Sequence, residues 1–136
     1  MPVFCDRIEK YIDEHCSSVP DVLHQLERYT HLNTAFPNML TGKVQGNFLK
    51  MVSQMVRPEK ILEIGAFTGY SAICLAAGLK ENGIIHTIEI NPEYILIAEK
   101  FIEKSGLTHA INLHEGDARQ LIPKLDDEFD LIFIDA

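Results

Sequence analysis

Four carboxylates recur at comparable places in the second half of this 136-residue chain: Glu63, Glu89, Asp117 and Asp135. Each stands at or near the end of a short apolar run, and Glu63 and Asp117 neighbour Gly65 and Gly116. A carboxylate so placed can accept from two hydroxyls at once, as a ribose requires, a geometry that neutral side chains rarely match. The densest segment is Lys60-Ile-Leu-Glu-Ile-Gly-Ala-Phe-Thr-Gly-Tyr-Ser71. Its apolar run ends in Glu63, turns through Gly65 and Gly69, and opens a helical pattern at Tyr70. Glycines supply steric room and a helix N-terminus supplies oriented N–H donors, so the unit reads as backbone amides brought up to a ligand. Phe67 occupies the place of the middle glycine in the dinucleotide-binding Gly-x-Gly-x-x-Gly, the glycine that admits a pyrophosphate. With Glu63 inside the same turn, a phosphate is disfavoured and a cationic ligand with hydroxyls is favoured. S-adenosyl-L-methionine meets both conditions. Glu89 is then the ribose acceptor. In Gly116-Asp117-Ala118-Arg119 the glycine admits a flat ring, backbone amides can read an adenine edge, and Asp117 can accept from the exocyclic amine.

Ligands of open parallel sheets bind at the carboxyl ends of the strands, so these residues call for such a sheet beneath them. Apolar residues at Val3, Phe4, Ile8, Tyr11 and Ile12 predict a helix over 3–15. Pro20 opens a second helix that carries Val22, Leu23, Leu26 and Tyr29. A loop over 33–41 holds Phe36, Pro37 and Met39, and a third helix over 43–56 shows Val44, Phe48, Leu49, Val52 and Met55 on one face. From Pro58 strands and helices alternate. Strands are predicted at 61–64, 84–90, 110–114 and 130–134, with helices at 70–80, 91–105 and 117–125 between them. This pattern predicts an α/β fold with a doubly wound, mostly parallel, Rossmann-like sheet and right-handed crossovers. Two parts are expected: an N-terminal helical segment, 1–57, packed on an S-adenosylmethionine-binding half-domain, 58–136.

A formal charge of −8 disfavours a nucleic-acid backbone as the main partner, although a local patch for tRNA stays open. No apolar run approaches the length of a membrane span, and the N-terminus has no secretory pattern, so a cytoplasmic protein is expected. Cys5, Cys16 and Cys74 have unrelated spacings and read as reduced, packed thiols. His15, His24, His31, His86, His109 and His114 form no metal-like pair in sequence and are expected to serve at surfaces or caps.

The motifs Met39-Leu-Thr-Gly-Lys-Val-Gln-Gly-Asn-Phe-Leu49, Leu62-Glu-Ile-Gly-Ala-Phe-Thr-Gly-Tyr-Ser71, Glu89-Ile-Asn-Pro-Glu-Tyr94, Gly116-Asp-Ala118 and Phe129-Asp-Leu-Ile-Phe-Ile-Asp135 carry a resemblance. The chain resembles the class I S-adenosylmethionine-dependent O-methyltransferases of the catechol and caffeoyl-coenzyme A type. The resemblance implies that Met39 and Thr41 line the methionine end of the cofactor. Glu63, Gly65, Ala66 and Ser71 would surround the amino-acid moiety, with Glu63 facing the ammonium, and Phe67 and Asp135 would also contact the cofactor. Glu89 would bind the ribose, Ile90 would pack on the adenine, and Gly116, Asp117, Ala118 and Arg119 would frame it. Asp135 would be the first ligand of a divalent cation, typically Mg2+, that holds two neighbouring oxygens of a small, catechol-like hydroxylated acceptor. The family's further metal ligands and a lysine assisting deprotonation lie beyond position 136, so no catalytic base is assigned. The chain is expected to be an N-terminal portion of a larger enzyme, either self-associated as a homodimer or paired with a C-terminal half. Leu131-Ile132-Phe133-Ile134 reads as a strand buried on both faces that ends the sheet as an edge. Transfer to a hydroxylated tRNA uridine and a non-catalytic cofactor-binding remnant are the alternatives; an NAD-dependent oxidoreductase is disfavoured by Phe67.

Overall fold

The computed structural model describes residues 6–136. Val3, Phe4 and Cys5 of the first predicted helix lie outside the described residues. Helices α1 (Asp6–His15), α2 (Asp21–Asn33) and α3 (Gly42–Val56) precede the alternating part, with a 3-10 turn at Pro37–Met39. Then follow β1 (Lys60–Ile64), α4 (Tyr70–Ala76), β2 (Ile84–Glu89), α5 (Pro92–Ser105), β3 (Ile111–Glu115), α6 (Ala118–Leu121) and β4 (Leu131–Ile134). Local chemistry sets the ends most clearly in α5. The Asn91 side chain accepts from the Glu93 N–H, Pro92 occupies the first turn where no N–H is needed, and Gly106 closes the helix at φ 75°.

All strand pairs are parallel, in the order β3-β2-β1-β4. Because side chains alternate and parallel neighbours are in register, Ile61, Ile85, Ile111 and Leu131 share one face. On that face Ile61 and Ile85 pack with Leu49 and Leu75, while Ile111 joins Leu23, Leu26, Ala72, Ile73, Phe101 and Ile102. Leu23 and Leu26 of α2 and Leu49 of α3 thus pack with α4 and α5, whereas Ile8 and Tyr11 of α1 and, against the predicted α3 face, Val44, Phe48 and Met55 are exposed. Burial of this kind stabilises by about 25 cal/mol per Å².

Two predicted helices are shorter than expected. The helix over 70–80 ends at Ala76 because the Ser53 hydroxyl donates to the Leu75 carbonyl (2.6 Å), the acceptor that a continuing helix would give to Leu79. Leu79 N–H turns instead to Ala76 O. Gly78 lets the two segments touch: a Cβ there would lie 2.1 Å from the Ser53 carbonyl carbon. Gly78→Ala is accordingly expected to lower unfolding free energy by about 2 kcal/mol in a urea titration. The helix over 117–125 becomes α6 plus a 3-10 turn at Ile122–Lys124, since Pro123 has no N–H to continue the helical hydrogen-bond ladder, although Ile122 before it keeps a helical backbone (φ −54°, ψ −44°).

Strand β4 is the edge that was expected, but it is not buried on both faces. Leu131 and Phe133 pack against the core, while Ile132 and Ile134 on the opposite face are 54% and 69% exposed. The histidines also differ from expectation. His86 and His114 meet on adjacent strands, with His86 Nδ1 2.9 Å from His114 Nε2, and His86 Nε2 lies 3.2 Å from Asp127 Oδ2. Both rings sit on the even-numbered face of the sheet, so register joins residues that are far apart in sequence. Asp127 also pairs with Lys60. His15 and His31 do behave as expected, each bonding a carbonyl one turn back. Cys16 and Cys74 are free thiols, and burial pushes Cys74 up to about 12, which keeps it protonated and inert.

Candidate functional site

A cleft of about 740 Å³ opens at the carboxyl ends of the strands. Met39, Thr41, Gly65, Ala66, Phe67, Ser71, Glu89, Ile90, Gly116, Asp117, Ala118, Arg119 and Asp135 all line it. Five segments from separate parts of the sequence thus converge on one space: the loop before α3 and the four strand ends, which an open parallel sheet gathers on one rim.

Glu89 is the anchor of this wall. It closes β2, is 9% exposed, and its two oxygens are held by three backbone amides. Phe67 N–H donates to Oε2 at 2.7 Å, and Ile90 and Asn91 N–H donate to Oε1 at 2.9 Å each. One carboxylate therefore fixes both the crest after β1 and the crest after β2. Oε1 is doubly engaged, and Oε2 keeps a lone pair for a ligand hydroxyl.

The glycine turn does something other than offer its amides. Gly65 and Ala66 N–H both donate to Ile88 O, Phe67 N–H to Glu89, and Gly69 N–H to Ala66 O. Four donors that a phosphate-binding loop would present are spent inside the protein. The expectation of amides brought to a ligand is corrected in this respect, while the exclusion of phosphate gains a second cause. Gly65 remains indispensable for another reason: at φ 98° its Cβ would lie 2.3 Å from the Asp135 carbonyl oxygen.

Glu63 does not line the cleft. As an odd-numbered β1 residue it points to the helix-covered face and is fully buried. Thr87 Oγ1 donates to its Oε2 at 2.5 Å, and its Oε1 has no partner among the described residues. Burial pushes its carboxyl up to about 7, opposed by the nearby Ser71 and Thr87 hydroxyls and reinforced by the charges of Asp135 and Glu89. Ser71 stands between this acid and the cleft. Tyr70, which also lines the cleft, carries a second buried polar atom without a partner among the described residues, its hydroxyl.

At the other end, Asp117 caps α6 and is held by its own neighbour. Arg119 N–H donates to Oδ1 at 2.9 Å and its guanidinium reaches Oδ2 at 2.6 Å, which keeps the Asp117 carboxyl below its usual range. The acid expected to meet an exocyclic amine is thus already paired. Asp135 follows β4, with its N–H on Ile64 O at 2.9 Å. Among the described residues no three His, Cys, Asp or Glu side chains converge as metal ligands. A hard divalent cation takes about six oxygens, so Asp135 with the other described residues does not form a complete cation site.

Sequence reasoning passed over Tyr94 and Gln45, both on the wall. Tyr94 lies in the first turn of α5, where its ring meets Phe67 edge-on with centroids 4.6 Å apart. Its position just after the Glu89 strand end was the available signal. Gln45 carries no signal of its own beyond its place in the stretch that begins at Met39.

The family model described as O-methyltransferase matches residues 13–136. A catechol O-methyltransferase of Niastella koreensis is 40% identical over 104 residues, 74% of this chain and 47% of that protein. Caffeoyl-CoA O-methyltransferase 1 of Zea mays is 37% identical over 107 residues, covering 72% of this chain and 40% of the relative. Among solved structures, the SAH-bound methyltransferase PaMTH1 of Podospora anserina superposes with a TM-score of 0.89 at 28% identity, over 100% of this chain and 60% of that one. The chain spans about half the length of the curated relatives it matches.

Proposed function

From the premise that this chain belongs to the O-methyltransferase family, we propose that its cleft binds S-adenosyl-L-methionine and serves methyl transfer to a hydroxyl of a small, catechol-like acceptor. The observation that carries the reading is Glu89, a nearly buried carboxylate whose remaining lone pair faces a cleft with few amides left for phosphate. Ribose hydroxyls suit that acceptor, and a sulfonium suits the acidic surroundings. The cofactor's amino-acid end fits the Ser71 side of the cleft. Flat adenine would lie between Ile90 and the Gly116 crest.

In the proposed reaction the acceptor oxygen attacks the sulfonium methyl in line. The carbon–sulfur pair returns to sulfur, S-adenosylhomocysteine forms, and the hydroxyl proton leaves. Positioning supplies most of the acceleration in such a displacement. A magnesium-type cation, which the resemblance implies, would find one carboxylate here, Asp135, and would need further oxygens from elsewhere. A cytoplasmic site of action, and assembly as a homodimer or with a C-terminal half, belong to the same proposal. No helix among the described residues is long and apolar enough to cross a membrane.

The test is transfer of a labelled methyl group from S-adenosylmethionine to catechols, with and without Mg2+. Labelled product supports the proposal. Cofactor binding without transfer to any small acceptor contradicts the enzymatic part and favours a non-catalytic holder, and labelling of tRNA alone would reassign the acceptor. S-adenosylhomocysteine is expected to bind while a large excess of ADP fails to displace it, because the turn has spent four of its amides. Displacement by ADP in a competition titration would refute that explanation.

A further inference from the structure

Phe67 is held in a conformation its own side chain disfavours. Its φ is 48°, in the left-handed region that a bulky residue rarely enters. Something outside the residue must fix it there, and the structure offers two restraints. The Phe67 N–H is bound to Glu89 Oε2 at 2.7 Å. Its ring meets Tyr94 edge-on, with centroids 4.6 Å apart and an interplanar angle of 74°, a favourable arrangement for an aromatic pair. Tyr94 is itself well anchored. It lies in the first turn of α5, its N–H donates to Asn91 O, and Asn91 and Pro92 set the start of that helix. Both rings line the cleft beside Glu89.

We propose that Tyr94 is a positioning residue for the cofactor, acting through Phe67: it braces the Phe67 ring so that the crest after β1 keeps the shape that places the sugar on Glu89. This rests on the reading of the cleft as an S-adenosylmethionine site. Residues held in sparsely populated backbone regions gather where a ligand needs a preformed wall, and a brace on the neighbouring helix explains how this wall is held.

The test is a double-mutant cycle on the folded chain, read as the Kd for S-adenosylhomocysteine by calorimetry. Tyr94→Ala is expected to weaken binding about tenfold, in line with an edge-on aromatic contact. Tyr94→Phe keeps the ring and is expected to bind like the wild type. The double variant Tyr94→Ala/Phe67→Ala is expected to bind no worse than Phe67→Ala, because Tyr94 has nothing to act on once the Phe67 ring is gone. An unchanged Kd in Tyr94→Ala, or losses that multiply in the double variant, overturns the proposal; the second result would make Tyr94 a direct contact. A folded wild type that fails to bind overturns the cofactor reading together with the inference. Normal wild-type binding with an unaffected Tyr94→Ala removes the inference alone.

Discussion

Glu89→Ala is expected to weaken S-adenosylhomocysteine binding by about 100-fold, about 2.7 kcal/mol, on the scale of one charge-assisted hydrogen bond. The effect has two sources that act in the same direction. The carboxylate is the proposed acceptor for the ribose, and a hydroxyl bound to a charged acceptor contributes about 1.5–3 kcal/mol. It is also the acceptor for the amides of Phe67, Ile90 and Asn91. Without it, the crests after β1 and β2 lose their common anchor, and the wall that faces the adenosine loosens. Glu89→Gln separates the two. One amide oxygen can still accept from Ile90 and Asn91, but the NH2 group then opposes the Phe67 N–H. Its affinity should fall between wild type and alanine, and its melting temperature should stay nearer to wild type. Calorimetric titration of the three proteins, paired with thermal melts, checks this. An alanine variant that binds as tightly as wild type would contradict it.

The second large effect concerns stability against pH. Glu63 has its carboxyl raised from 4.5 to about 7 by complete burial. The folded state therefore holds this proton where the unfolded chain has released it. Its contribution is fully present below about 4.5 and is lost as pH rises through about 7. The shift corresponds to about 3 kcal/mol across that interval. His114 works in the opposite sense: burial and His86 lower its pKa, so its contribution grows as pH rises toward its ordinary value of 6.5. The lowered carboxyls of Asp117, Asp127 and Asp130 act only at more acidic pH. Comparing wild type with Glu63→Gln at each pH cancels these other groups. The variant should gain on the wild type from pH 5 to about pH 7 and hold level above it in urea denaturation. A constant difference between the two curves would show that Glu63 does not hold its proton.

Much of the site was legible because strand ends obey a simple geometric rule. Glu89, the Gly116 crest and Asp135 each follow an apolar run, and an open parallel sheet gathers such points on one rim. Helix α5 could be bounded closely because Asn91, Pro92 and Gly106 carry their own capping chemistry. Other features needed distances that no run of residues encodes. Whether an amide is free depends on what stands opposite, so the engagement of Gly65, Ala66 and Phe67 by Ile88 and Glu89 emerged only from the fold. The early end of α4 was equally hidden, since it depends on Ser53 crossing at Gly78. Glu63 is an intermediate case. Alternation along β1 places it on the same side as Ile61, under the helices, but the glycine turn just after it drew attention to the ligand side. His86 and His114 required the β2–β3 register before they could be paired.

The most direct test of the account is a crystal structure of the chain with S-adenosylhomocysteine. The predicted result is a nucleoside in the cleft at the strand ends, its ribose hydroxyls on the Glu89 carboxylate and the Phe67 and Tyr94 rings unmoved beside it. A ligand bound elsewhere, or a saturated crystal with the cleft unfilled and Glu89 turned from it, would contradict the account.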